Sequence, residues 1–147
     1  MRLKKIICPV DFSECSRVAM HAAVDLAKES GATLVLLHAY LPPSYTYGEG
    51  GYGLPEVLAR IEETARKDLG EWRRDAGNRG ASLVDDVTIE GVPWEEIVGA
   101  ARALPSDLIV MGTHGRTGVK HVILGSVAEK VVRHAPCSVL IVRLPAA

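Results

Sequence analysis

The chain carries almost no surplus charge: 17 Lys and Arg against 18 Asp and Glu leave a formal net charge of −1 at pH 7. So small a charge gives no general pull toward DNA, RNA or an anionic membrane, and any anion site must be assembled locally. Cysteine is scarce. Cys8, Cys15 and Cys137 are odd in number and lack C-x-x-C spacing, and His134 with Cys137 supplies only two of the four ligands of a zinc site. All three read as small buried apolar side chains. No stretch approaches the roughly 18 apolar residues of a membrane helix. The start, Met1 to Val10, superficially imitates a signal peptide, but its apolar run is short and Pro9 and Asp11 end it. The expectation is a cytoplasmic protein that contacts neither membrane nor nucleic acid. The sequence G-x-x-x-x-G-K-[ST] is missing, so this is no P-loop ATPase. Neither a G-x-S-x-G elbow nor H-E-x-x-H occurs, and nothing marks a catalytic nucleophile.

What is present is a chain of 147 residues, enough for one domain. Short β-branched runs alternate with helical periodicity. Strands are expected at Leu3–Val10, Thr33–Ala39, Ser82–Glu90, Asp107–Met111 and Cys137–Val142. A helix is expected from Ser13 to Ser30, started by Asp11 or Ser13 and ended by Gly31, with Val18, Ala22 and Leu26 on one stripe and Ala19, Ala23 and Ala27 beside it. A second runs through Leu58, Ile61, Ala65, Leu69, Trp72 and Ala76, weakened near its end by Gly70 and Gly77. Pro93 suits the first position of a third, and Ser126 to Arg133 forms a fourth with Val127, Val131 and Val132 inward. The fold class is therefore α/β: a single doubly wound, Rossmann-like domain whose five-stranded parallel sheet has helices on both faces. Residues 41–54, rich in Pro, Tyr and Gly, read as a mobile lid or partner-contact loop. Gly48-Glu-Gly50-Gly-Tyr-Gly53 formally fits G-x-G-x-x-G, but no strand immediately precedes it, so it is no dinucleotide fingerprint.

In such sheets ligands bind beyond the carboxyl ends of the strands, where the strand order reverses. After the fourth strand stands Gly112-Thr-His-Gly115-Arg116-Thr-Gly118-Val-Lys120-His121-Val-Ile-Leu-Gly125-Ser126. That connection is longer than the usual two to six residues of a βα loop, which suggests function. Its glycines let backbone N–H groups approach an anion, Arg116 and Lys120 add positive charge, and His114 and His121 could donate. Ser126 and Glu129 have capping-box spacing at a helix start, whose dipole suits a phosphate. Asp11, at the end of the first strand, could accept from a ribose hydroxyl or an exocyclic amine.

Gly-x-x-Gly, nine residues, then Gly-Ser stands here as Gly112, Gly115, Gly125 and Ser126. Around it are Ile6-Ile-Cys-Pro-Val-Asp11, Leu36-Leu-His-Ala39, Asp107-Leu-Ile-Val-Met-Gly-Thr-His-Gly115 and Pro136-Cys-Ser-Val-Leu-Ile-Val142. With these the chain resembles the universal stress protein family over its whole length, in the subclass that binds ATP. The resemblance implies that Gly112, His114, Gly115, Arg116, Gly125, Ser126, Val127 and Ala128 meet phosphates and ribose, and that Pro9, Val10, Asp11, Ala39 and Met111 frame the adenosine. It implies ATP with Mg2+ or Mn2+ held through the phosphates, strand order 3-2-1-4-5, and an unknown protein partner. A homodimer through the fifth strand is expected, because that strand is an apolar edge with no later helix to cover it. The alternatives are a slow ATP hydrolase on the same fold and a partner-binding protein that no longer uses nucleotide.

Overall fold

The computed structural model describes residues 1–43, 54–115 and 124–145. Strands and helices alternate: β1 (Lys5–Pro9), α1 (Glu14–Ser30), β2 (Thr33–Tyr40), α2 (Pro55–Asn78), β3 (Val84–Glu90), α3 (Pro93–Ala103), β4 (Leu108–Gly112), α4 (Ser126–His134) and β5 (Ser138–Val142). The five strands form one parallel sheet in the order β3-β2-β1-β4-β5. β1 is central, and Ile7 sits opposite both Val35 and Ile109.

Side chains alternate across the pleat, which divides the core in two. Ile6, Cys8, Leu34, Leu36 and Val110 pack beneath α1 and α2. Ile7, Val35, Leu37, Ile109 and Met111 pack beneath α3 and α4. The central strands are buried on both faces, as the near-continuous apolar runs require. Burial pushes the Cys8 thiol up to about 12, since a thiolate there would be stripped of water. At the amino end of the sheet Asp107 Oδ2 accepts from the backbone N–H of Lys4 at 2.8 Å and of Lys5 at 2.9 Å. Those two donors hold the Asp107 carboxyl below its ordinary range and tie the start of β1 to β4.

Ser13 caps α1, its Oγ accepting from Ser16 N at 3.2 Å, and Gly31 ends the helix at φ 73° with its N–H on the Ala27 carbonyl. Both expected stripes face the core, to different depths. Ala19, Ala23 and Ala27 with Met20 and Val24 are buried, whereas Val18, Ala22 and Leu26 sit at the rim. Small residues let the helix axis approach the sheet closely. α2 runs unbroken through Gly70 and Gly77 to Asn78, longer than periodicity alone suggested. In α4 Ala128 and Val131 face inward, while Val132 is 48% exposed, which corrects the inward assignment of Val132. Most of the 41–54 loop falls outside the described residues.

Candidate functional site

Past the carboxyl ends of β1 and β4 the chain leaves in opposite directions, and a cleft of about 530 Å3 opens between the connections. Pro9, Val10, Asp11, Ala39, Met111, Gly112, His114, Gly115, Gly125, Ser126, Val127 and Ala128 all line it. These residues come from four separate parts of the chain, and the fold brings them to one wall. Arg116, Lys120 and His121 lie outside the described residues. The cleft also takes Ser16, Leu37, Pro93, Ile97 and Thr113, which the sequence reading missed. Leu37 could have been found from the alternation that puts Ala39 on the same face. Pro93 and Ile97 carry no local signal, because only the crossover of α3 over the sheet brings them there.

The β1–α1 turn is held by its own backbone. Val10 N donates to the Leu37 carbonyl at 2.8 Å, extending the ladder one residue past β1. Asp11 Oδ1 accepts from Ser13 N at 3.0 Å, so Asp11 shapes the approach to α1 while Ser13 is the cap. Ser16 Oγ donates to the Ser13 carbonyl at 3.0 Å and lies 3.4 Å from Asp11 N. Phe12 between them has φ 66°, a left-handed conformation unusual for a bulky side chain.

The β4–α4 connection closes on itself, with Gly125 N donating to the Thr113 carbonyl at 2.7 Å. Three glycines here have three different reasons. A Cβ on Gly112 would stand 2.7 Å from Cys15 Sγ, on the α1 side of the sheet, so this glycine serves helix–strand packing. On Gly115 it would stand 2.5 Å from Asp11 Oδ2, where the two loops meet across the cleft. On Gly125 it would stand 3.0 Å from the Thr113 carbonyl oxygen.

The expected capping box is absent. Gly125, not Ser126, occupies the cap position of α4, with no side-chain cap bond, and Ser126 is already helical. Glu129 N instead makes the first helical bond, to Gly125 O, and the Glu129 carboxylate pairs with Arg133 one turn on. The amide groups of Ser126, Val127 and Ala128 therefore have no acceptor within the helix, and these three residues line the cleft. A helix start of this kind favours an anion through its free donors and its dipole. α3 also reaches the cleft, but its first turn carries Glu95 and Glu96 and presents Pro93 and Ile97. The cleft wall thus offers donors that suit an anion at the start of α4, together with the apolar residues Val10, Leu37, Ala39, Ile97 and Met111 that suit an apolar group.

The universal stress protein family model matches residues 2–143. Universal stress protein MJ0531 of Methanocaldococcus jannaschii is 36% identical over 143 residues, spanning 97% of this chain and 83% of its own. This chain belongs to the universal stress protein family. The solved structure of MJ0577, from the same organism, superposes with a TM-score of 0.87 at 29% identity, covering both chains fully. A universal stress protein solved in complex with cAMP gives a TM-score of 0.71 at 26% identity over 97% of this chain and 98% of that one. Family membership accounts for the sheet order. Among the described residues no group of three or more His, Cys, Asp or Glu could hold a metal ion, and Asp11 is the one carboxylate among the described residues of the cleft wall. None of the described helices is long and apolar enough to cross a membrane.

Proposed function

We propose that this universal stress protein binds ATP in the β1/β4 cleft and that the nucleotide state governs its conformation or its partners. The observation that carries the reading is the start of α4: three amides without helical acceptors on the wall of a cleft that is also lined by apolar side chains. Phosphates would take the amides of Ser126, Val127 and Ala128 and the backbone around Gly115, with Arg116 adding charge. The adenosine would lie against Pro9, Val10, Ala39 and Met111, with Asp11 accepting from it and His114 beside the ribose or phosphates. The family relative that holds cAMP supports an adenine nucleotide here.

Mg2+ or Mn2+ would enter as a passenger of the triphosphate, bound by phosphate oxygens and water; among the described residues the cleft wall holds no carboxylate cluster to take it directly. The protein is cytoplasmic, where ATP is available, and forms a homodimer through β5. That strand is an open edge: β4 pairs with one side only, and Leu140 is 40% exposed. Antiparallel pairing with a second copy would satisfy its backbone groups about a two-fold axis. The test is to denature purified protein by heat, identify the released nucleotide by chromatography and mass, and titrate emptied protein with ATP, dAMP and cAMP. ATP release and tightest binding of ATP are expected. Failure of all three nucleotides to bind overturns the reading.

A further inference from the structure

We infer that His38 is a positioning residue for the cleft, acting on the β1–α1 turn from behind the sheet; this rests on reading the cleft as a nucleotide site. His38 lies between Leu37 and Ala39, whose side chains line the cleft, so the pleat sends its ring to the opposite face. It touches the turn in two places. Nδ1 is 2.8 Å from the Val10 carbonyl oxygen, which only accepts, so Nδ1 carries the proton. This bond falls where the backbone ladder between β1 and β2 ends at Pro9 and Leu37. The second contact is with Phe12, whose ring centroid is 4.4 Å from the imidazole and 5.4 Å from Trp72. Tyr40 stacks on His38 with ring centroids 6.0 Å apart.

Val10 and Phe12 flank Asp11. One has its carbonyl fixed by His38, and the other keeps an unfavourable left-handed φ of 66° while its ring packs between His38 and Trp72. The direction of the Asp11 carboxylate across to Gly115 therefore depends on a residue outside the cleft. His38→Ala releases both restraints, His38→Phe keeps a ring without the donor, and His38→Asn restores an N–H donor near the position of Nδ1.

Adenosine and ATP are titrated into wild type and the three variants, with Val24→Ala as a control for a general loss of core packing. His38→Ala is expected to weaken both ligands alike, by about fivefold to tenfold, the range of one lost hydrogen bond. His38→Asn should return to within about twofold of wild type, and His38→Phe should stay weak. Unchanged affinity in His38→Ala and His38→Phe overturns the inference, as does an equal loss in Val24→Ala. In ligand-free protein the intraresidue HN–Hα NOE of Phe12 reports its positive φ without any nucleotide. That signal should fade in His38→Ala and His38→Asn, which lose the ring against Phe12, and persist in His38→Phe, which keeps it; if it persists in all three, His38 does not hold the turn. If wild type binds neither ligand, the nucleotide reading fails while the NOE still decides the role of His38. Should His38→Ala not fold, the Asn and Phe variants decide the matter.

Discussion

Replacing Gly112 by Ala puts a methyl group 2.7 Å from Cys15 Sγ and 3.1 Å from both the carbonyl carbon and oxygen of Cys15. Ordinary contact between such atoms is about 3.5–4 Å, so something must move. The Cys15 side chain has little room to do so. It is buried, with Sγ 3.6 Å from Thr113 Oγ1 and 3.9 Å from the Val142 carbonyl. The backbone of α1 must then shift on its sheet, and overpacking of this kind costs about 1–3 kcal/mol. For a chain of this length that lowers Tm by about 3–10 °C. Urea and thermal unfolding of Gly112→Ala, Cys15→Ala and the double variant form a cycle. The double variant should be more stable than the sum of the singles implies, by about 0.5–3 kcal/mol. Rescue should be incomplete, because the two backbone atoms at 3.1 Å remain. Nucleotide affinity should change less than stability, since the added methyl points at α1. Gly112→Ala as stable as wild type, or a loss of affinity without loss of stability, would refute the packing role and leave Gly112 a role in ligand contact alone.

Gly125→Val crowds the Thr113 carbonyl oxygen, 3.0 Å from the new Cβ, and displaces the amides that follow; ATP affinity should fall by about two orders of magnitude in calorimetric titration. EDTA should weaken ATP binding measurably while leaving adenosine binding untouched, and equal ATP titrations with and without chelator would remove the metal from the site. Leu140→Lys together with Val142→Lys should give a monomer by light scattering, because a charged edge strand resists pairing. Asp107→Asn tests the sheet's amino end. The wild-type carboxyl is held below its ordinary value by the Lys4 and Lys5 amides, so it adds stability above its unfolded pKa and loses it as pH falls through the folded one. The variant should therefore be less stable than wild type at neutral pH, and urea melts taken toward acid should show the gap close.

Much of this arrangement is legible in residues whose constraints are local. Gly31 at φ 73° and Pro93 at the first turn of α3 sit where backbone chemistry places them. The β-branched runs became the central strands, and the Gly112–Ser126 spacing located one wall of the cleft. The misses share a cause. Which of the two α1 stripes lies deeper was not legible: Val18 and Leu26 are bulkier than Ala19 and Ala23, but the sheet accepts whichever stripe lets α1 approach, which a hydropathy pattern does not report. Gly125 and Ser126 are both acceptable caps, and the bond from Gly125 to Thr113 decides between them. The left-handed Phe12 is invisible locally because His38 and Trp72, far along the chain, hold its ring.

The hydrogen bond between Gly125 N and the Thr113 carbonyl has a consequence for engineering this fold. It joins the residue after β4 directly to the residue before α4, so one backbone bond sets the register between strand and helix. Redesign that keeps Thr113 and Gly125 should therefore keep the start of α4 in place on the sheet.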